Sequence, residues 1–305
     1  MSTRTSNRIV PCIWFSDESE AAAEFYTRLL PDGRILAVAR YPESFDNPGG
    51  KPRGSVMTVD FEVGGQRFTA LDGGPIFRPN PSISFFLRAD DAAQAEHLYG
   101  VLQDGGRVLM PLGSYAWSPH YAWVEDRFGV SWQIIVDTTD TSRPRIVPCL
   151  MFAGPQHGRA EEAIQAYTRA FPESRIGDLV RYRKDEGPEG KLVHGRFTLA
   201  GHEFTAMDSG APQDTTFSEG LSLQIMCDTQ AEIDHYWDVL VQDGGQHGPC
   251  GWLKDRFGVS WQVCPAQFID WYTHPDPAAR DRAFSAMLKM HKLDIAELER
   301  ALRGE

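Results

Sequence analysis

Short apolar runs of strand length alternate with helical patterns along the chain, and one order of elements returns repeatedly. Residues 9–15 are apolar and short, as expected for a strand. The next segment carries apolar residues at helical spacing, from Ala22 to Leu29, and Pro31-Asp32-Gly33 ends it. Strands are predicted over 34–41, 55–63 and 66–72, the last two joined by the Gly64-Gly65 turn. The pattern therefore predicts a β-α-β-β-β module.

A second module of the same order follows directly. It comprises a strand over 82–89, a helix over 92–103 and strands near 107–110, 120–125 and 130–136. Asp90 or Asp91 is expected to cap the helix, and Asp104-Gly105-Gly106 to end it. In the first module, Asp17 and Glu20 have the spacing of a capping box.

The whole first half returns in the second half of the chain. Arg8–Cys12 recurs as Arg145–Cys149, and the eight residues Asp126–Gln133 recur unchanged as Asp255–Gln262. An internal duplication of this length predicts two tandem domains, over 8–137 and 145–265, with a polar linker over 137–144. The repeated Asp-Arg-Phe-Gly is interpreted as a structural turn, because Asp favours turn starts and Gly tolerates positive φ.

A helical tail over 276–303 is predicted after the second repeat. Asp276-Pro277 suits an N-cap and first helical turn, and Asp294 with Glu297 forms a second capping box. Phe284, Met287, Leu288 and Met290 recur at helical spacing. We expect this apolar stripe to pack against the second domain.

Composition and charge narrow the class of protein. The net charge of −12 argues against binding nucleic acid or an anionic membrane through the overall field. The N-terminus has no apolar signal-like core, and no apolar run approaches the roughly 20 residues needed to span a bilayer. Five cysteines without a C-x-x-C pair favour a reducing cytoplasm over a disulfide scaffold.

Several segments resemble a known superfamily. They are Gly251–Lys254 leading into Asp255–Gln262, Cys227–Asp234 with Trp237, and the tail segments 286–290 and 292–295. With the paired modules, they resemble the vicinal oxygen chelate superfamily of glyoxalase I, extradiol dioxygenases and bleomycin-resistance proteins. More narrowly the chain is similar to the PhnB-like family, often labelled "3-demethylubiquinone-9 3-methyltransferase". The resemblance implies an α+β fold of tandem glyoxalase-like domains, each with two βαβββ modules in a cupped mixed sheet, plus C-terminal helices.

The resemblance also implies where a divalent metal would bind. Carried onto the first domain, the ligand positions fall near Val10 or Pro11, Ala70, Ser84 and Gln133. In the second domain they fall near Val147 or Pro148, Ala206, Ser222 and Gln262. Only the two glutamines could be ligands, and metal sites need several carboxylate, imidazole or thiolate donors. No metal or other cofactor is therefore predicted.

Strand alternation assigns the lining of each cup instead. Ser84, Phe86 and Gln133 should face one cup, and Ser222, Gln224, Met226 and Gln262 the other. Trp252, Trp117 and Tyr115 are expected near the cup mouths, where aromatic rings could stack on a ligand or simply pack. This lining suits a small molecule that is partly aromatic or polar, and it contains no obvious general base. Catalytic residues are left unassigned.

Three functions remain open from the sequence. The first is metal-independent binding of a small molecule, as in the bleomycin-resistance branch. The second is a metal-dependent lyase, isomerase or dioxygenase with a non-standard site drawn from His194, His202, His247, Cys250 and Cys264. The third, methyl transfer, is disfavoured because no Gly-Gly pair opens a helix after a strand. Because family members with one domain are expected to dimerise, the chain is predicted to be a pseudo-dimeric monomer or a homodimer.

Overall fold

The computed structural model describes residues 8–47, 49–137 and 143–305. The N-terminal residues, for which the sequence predicts no signal-like core, and most of the predicted linker lie outside these residues. The first repeat contains the strands β1 (Ile9–Phe15), β2 (Arg34–Arg40), β3 (Val56–Val63), β4 (Gln66–Asp72), β5 (Ile83–Ala89), β6 (Arg107–Tyr115), β7 (Ser118–Glu125) and β8 (Ser131–Val136), with the helices α1 (Ser19–Tyr26) and α2 (Ala92–Gln103).

The second repeat has the same order of elements. Its strands are β9 (Ile146–Phe152), β10 (Arg175–Arg181), β11 (Leu192–Leu199), β12 (His202–Asp208), β13 (Leu221–Cys227), β14 (Gln246–His247), β15 (Trp252–Lys254) and β16 (Ser260–Pro265), and its helices are α3 (Ala160–Ala170) and α4 (Gln230–Val239). The tail forms α5 (Phe268–Tyr272), α6 (Pro277–Met287) and α7 (Ile295–Arg303). No helix in the described ranges is long and apolar enough to cross a membrane.

The strands form two eight-stranded mixed sheets, and each sheet combines modules from both repeats. Sheet A has the order β14-β15-β16-β13-β1-β4-β3-β2, and sheet B the order β10-β11-β12-β9-β5-β8-β7-β6. The joints are the antiparallel pairs β1–β13, where Cys12 faces Ser222, and β5–β9, where Ser84 faces Cys149. The expectation that Val10, Ala70, Ser84 and Gln133 meet in one cup is therefore wrong, because the first two positions lie in sheet A and the others in sheet B.

Each sheet has one face covered by helices, here called the outer face. Helices α1 and α4 pack on sheet A, and α2 and α3 pack on sheet B. The side chains of both outer faces join one continuous apolar core, which includes Phe85, Trp132 and Trp261. The predicted outer positions Ile83, Phe85, Leu87, Val130, Trp132 and Ile134 all belong to this core, which confirms the alternation used to assign the strands.

The opposite face of each sheet, here called the inner face, is curled. The rings of Phe86 on β5 and His194 on β11 lie 5.8 Å apart. Three strand spacings separate these strands in sheet B, or about 14 Å in a flat sheet. Such a contact requires the sheet to bend towards its inner face, so that this face forms a cup.

Helix starts follow the predicted capping residues at three of the four positions considered in the sequence. Asp91, Asp276 and Asp294 each accept a hydrogen bond from a backbone N–H in the first turn of a helix, and Thr229 does the same at the start of α4. Asp17 does not. Helix α1 begins later, where the Ser19 N–H and hydroxyl both donate to the buried Asp72 carboxylate at 2.9 and 2.7 Å. A partner distant in sequence replaces the local cap there.

The tail covers part of the inner face of sheet A. Phe284 on α6 packs with Ala39, Tyr41 and Met57, which belong to the first repeat. The expectation that Phe284 packs against the second domain is therefore wrong, because strands of the first repeat complete this sheet. Met290 is held nearer the second repeat, where its carbonyl accepts the Cys250 N–H at 2.8 Å.

Candidate inner-face binding site

Gln133 stands at the centre of the inner face of sheet B and is 2% exposed. Its Oε1 accepts a hydrogen bond from the Tyr121 hydroxyl at 2.6 Å, and its Nε2 donates to Ser84 Oγ at 2.8 Å. Beside it, Trp123 Nε1 donates to Ser131 Oγ at 2.7 Å. The structure brings the predicted residues Ser84 and Gln133 together, and the protein itself satisfies the Gln133 amide.

Aromatic and thioether side chains surround this polar centre. Tyr121, Trp123 and Met151 are buried together, and half-buried residues of the same sheet pack on them: Phe86, Leu109, Met110, Tyr115, Ile135 and Met207. Tyr115 and Trp117 stack at 5.1 Å, and Trp117 is 57% exposed. All these residues lie in strands of sheet B or the β6–β7 turn. We call this group the sheet B cup.

His194 joins the sheet B cup from the second repeat. Its ring stands perpendicular to that of Phe86. Burial, and then the nearby guanidinium groups of Arg196 and Arg143, lower the pKa of His194 to about 4, so its imidazole is neutral at neutral pH. Neither ring nitrogen has a hydrogen-bond partner among the described residues. Sequence reasoning placed His194 only among candidate metal ligands, because its neighbour Phe86 is more than 100 residues away in the chain.

Arginine and carboxylate side chains form a network of ion pairs at one end of the cup. Arg143 Nη1 lies 2.8 Å from Asp137 Oδ2, and Arg143 Nη2 lies 2.5 Å from Glu203 Oε1. Arg88, which is 5% exposed, donates to the Asp137 carbonyl at 2.8 Å. Since the cations and carboxylates neutralise one another, this end offers no net charge to a ligand.

The remaining predicted site residues lie on the inner face of sheet A. Gln262 Nε2 donates to Ser222 Oγ at 2.9 Å, and Gln224 Nε2 lies 3.3 Å from Gln262 Oε1. Thr69 of the first repeat donates to Gln224 Oε1 at 2.9 Å. Half-buried Met226 lies next along β13, and Trp252 contacts the first-repeat Trp14 with ring centroids 6.0 Å apart.

The available donors do not fit the superfamily's metal site. The amide oxygens of Gln133 and Gln262 already accept hydrogen bonds within the protein. Burial raises the pKa of the Cys149 thiol to about 11 and that of Cys12 to about 12, so both stay protonated rather than becoming thiolate ligands. Among the described residues, no three His, Cys, Asp or Glu side chains are grouped so that they could hold a metal ion.

The residues considered for a non-standard metal site are scattered. His202 Nε2 accepts the Arg8 N–H at 3.1 Å, whereas His247 stacks on Trp237 at 4.3 Å. The Cys250 thiol lies 3.6 Å from the Met287 carbonyl, under the tail. His194 lies in sheet B. Each of these side chains thus has a different neighbourhood, and no step of a reaction is derived through a metal.

Two clefts lie outside the cups, one at each copy of the repeated motif. The cleft beside Asp126–Gly129 has a volume of about 400 Å³, and the one beside Asp255–Phe257 about 180 Å³. The larger contains Arg78, Arg107 and Arg127 together with three acidic side chains, Glu18, Glu125 and Asp126. Their charges balance. The clefts arise where the modules of one repeat meet, and the lining of the larger one is mainly polar and charged.

The two curled sheets and their outer helices define a protein of the glyoxalase fold class. Glyoxalase I from Zea mays superposes with a TM-score of 0.55 over 87% of this chain and 95% of that chain, at 15% identity. A mutant of the same enzyme gives a TM-score of 0.53 over 85% of this chain and 95% of that chain, also at 15% identity. At 15% identity, this structural similarity shows only that the two proteins share a fold.

The family follows from the sequence match. The profile of the 3-demethylubiquinone-9 3-methyltransferase family matches residues 7–135 and 144–264, so the chain belongs to this PhnB-like family in two tandem copies. A PhnB protein from Bacillus cereus is 31% identical over 42% of this chain and 98% of that chain, with a TM-score of 0.39. A protein from Pseudomonas aeruginosa is 30% identical over 43% and 98%, with a TM-score of 0.37. Among curated proteins, none matches this chain.

Proposed function

We propose that the protein binds a small, largely apolar molecule in the sheet B cup and does so without a metal ion. The observation that carries this proposal is the cluster of aromatic and thioether side chains around a neutral imidazole. Pockets for small molecules are typically apolar, with a few placed polar groups. His194 and the exposed Trp117 supply a polar contact and a stacking surface within that pattern.

Sheet B is favoured over sheet A because the chain itself covers part of sheet A. Phe284 and its neighbours on the tail lie over Ala39 and Met57. The sheet B cup also contains three methionines, Met110, Met151 and Met207. Methionine is unbranched and flexible, so these side chains can repack around a ligand. A ligand would enter by displacing them rather than by filling a rigid cavity.

Binding rather than turnover is proposed because the cup offers little acid–base chemistry. Burial keeps the Cys149 thiol protonated, and a pKa of about 4 makes the His194 imidazole a weak base. Gln133 has no titratable proton and is hydrogen-bonded to Tyr121 and Ser84. Methyl transfer, which the family description names, gains no support from the glycine pairs of the described chain. Gly64-Gly65 joins β3 to β4, and Gly105-Gly106 follows α2, so neither precedes a helix as a cofactor-binding loop would.

Fluorescence titration with the uncharged probe N-phenyl-1-naphthylamine tests this proposal. Phe86→Ala should weaken binding by about tenfold, because truncating a buried aromatic contact costs at least about 1.4 kcal/mol. Met226→Ala, at a half-buried inner-face position of sheet A, is the matched control and should change affinity less than about twofold. Loss of affinity in Met226→Ala with Phe86→Ala unchanged would place the ligand in sheet A and overturn the proposal.

A further inference from the structure

The inner face of sheet A already binds an aromatic ring, which the tail of the same chain supplies. On the inner face of sheet A, Phe284 lies against Ala39, Tyr41 and Met57, with Leu71 packed beside them. The Tyr41 ring meets that of Phe284 edge-on, with centroids 6.2 Å apart. This part of the sheet therefore binds an aromatic ring that arrives from outside the sheet.

Strand register identifies the corresponding surface in sheet B. Ala39 pairs with Thr58 in sheet A, and Val180 pairs with His194 in sheet B. Two residues further along, Tyr41 donates to the Asp72 carbonyl at 2.7 Å, as Tyr182 does to the Asp208 carbonyl at 3.4 Å. The two sheets are thus built alike here. The residues of sheet B that match those around Phe284 are Val180, Tyr182, Val193 and Met207, which we call the ring seat.

The two surfaces differ in exposure. Ala39 is 1% exposed and Tyr41 7% exposed beneath the tail, whereas Val180 is 53% exposed and Tyr182 is half-buried. Of the described tail helices, α5 contacts β2 of sheet A, α6 packs on sheet A through Phe284, and α7 packs on α6. The ring seat therefore presents to solvent the kind of surface that sheet A buries under an aromatic ring.

His194 makes the ring seat chemically different from its counterpart. It occupies the position of Thr58, next to Val180, and its ring also contacts Phe86 in the sheet B cup. A neutral imidazole has one nitrogen that accepts a hydrogen bond and one that donates. A ligand that hydrogen-bonds to a half-buried imidazole without a protein partner binds more tightly, because it supplies the missing hydrogen bond.

We propose that the ring seat binds the aromatic ring of a small molecule whose hydroxyl or N–H group hydrogen-bonds to His194. This proposal rests on the proposed function and names the class of ligand for the same cup. A small molecule is the occupant, since the tail that supplies Phe284 is already engaged with sheet A of its own chain. Phenols and N–H heteroaromatics have the required chemistry, and their methyl derivatives lack the donor.

A matched pair of probes tests the hydrogen bond. Calorimetry on the full chain should show 2-naphthol binding about fivefold more tightly than 2-methoxynaphthalene, which is the effect of one net hydrogen bond. His194→Phe should remove this preference, and His194→Gln, which keeps a hydrogen-bonding group, should retain part of it. His97→Gln on the exposed surface of α2 is the control and should leave the preference unchanged. Equal affinity of the two probes for the wild-type protein would overturn the role of His194.

A second pair of variants tests the location of the ring. Val180 and Ile176 are both exposed on the edge strand β10, but Ile176 pairs with Phe197 of the outer-face core. Val180→Lys should weaken 2-naphthol binding about tenfold, and Ile176→Lys less than about twofold. In protein whose methionine methyl groups carry a ¹³C label, the ring current of 2-naphthol should shift the Met207 resonance and leave that of Met287, at the end of tail helix α6, in place.

The outcomes separate the two proposals. If Phe86→Ala weakens 2-naphthol binding while Val180→Lys does not, the sheet B cup binds ligands but the ring seat is wrong. If Met287 rather than Met207 shifts, the probe has displaced the tail from sheet A, which contradicts both. Absence of 2-naphthol binding at millimolar concentration also contradicts both proposals.

Discussion

The Tyr167 hydroxyl donates a 2.7 Å hydrogen bond to Asp255 Oδ2, although the two residues belong to elements associated with different sheets. Tyr167 lies on α3, which packs on sheet B, and Asp255 follows β15 of sheet A. The same carboxylate accepts Trp261 Nε1 at 2.9 Å and the backbone N–H groups of Phe257 and Val259. The repeated motif is thus a turn, as predicted, and it also links the two modules of one repeat across the core.

Tyr167→Phe should lower the free energy of unfolding by about 1–3 kcal/mol, because it removes a donor to a buried carboxylate. Urea denaturation measures the change. Tyr115→Phe is the control, since the Tyr115 hydroxyl bonds only to the exposed Pro111 carbonyl, and it should cost less than about 0.5 kcal/mol. Equal losses in the two variants would contradict a special role for the link between the sheets.

Stability should depend on pH through Asp126, the first-repeat counterpart of Asp255. Burial is the main cause that raises its pKa from 3.8 to about 6. Between about pH 4 and 6 the folded state therefore holds a proton that the unfolded state has released. The stabilisation from this group is complete below about pH 4 and is lost as pH rises through 6, a change of about 3 kcal/mol.

Comparison with Asp126→Asn isolates this effect. The variant keeps the size of the side chain and an oxygen for the Phe128 and Val130 N–H groups but does not titrate. Relative to the variant, the wild-type protein should lose stability as pH rises from 4 to 7 in denaturation experiments. A difference that stays constant over this range would show that Asp126 has an ordinary pKa.

Elemental analysis of untagged protein should find no stoichiometric zinc, iron, manganese, nickel or copper, also after soaking with each metal. The reason is the donor set, in which the glutamine amides are engaged and the buried thiols protonated. Soaked His194→Ala protein should match the wild type. A stoichiometric metal that this variant loses would overturn the metal-independent proposal and favour a metal-dependent lyase, isomerase or dioxygenase.

Phe284→Ala should lower the free energy of unfolding by about 3–5 kcal/mol, the usual cost of truncating a buried phenylalanine. Phe284 is 5% exposed between Tyr41, Phe45 and Tyr272. Limited proteolysis should then cut the tail faster, because its contact with sheet A is weakened. Leu36→Ala, at 42% exposure, is the control and should change neither measurement appreciably. An unaltered cleavage rate in Phe284→Ala would mean that other contacts hold the tail.

Much of the candidate site followed from strand alternation. It placed Ser84 beside Gln133 and Ser222 beside Gln262, and the parallel pairs β5–β8 and β13–β16 confirm both neighbourhoods. Local pattern sufficed because both members of each pair lie in one module. His194 was not recognised as a partner of Phe86, since their contact depends on the curl of a sheet built from two repeats.

The sequence by itself determined the duplication, the order of strands and helices, and which face of each strand meets the core. These features depend on the alternation of polar and apolar side chains over a few residues, and both copies preserve it. Only the tertiary structure decided which modules share a sheet, and therefore that Cys12 faces Ser222 rather than Ser84 of its own repeat. Because the two copies have the same local pattern, their strands could pair at equivalent sheet edges. Which strands pair therefore depends on long-range packing, including the hydrogen bond from Tyr167 to Asp255. The tail's place on sheet A was decided in the same way, by a surface that strands from both repeats create together.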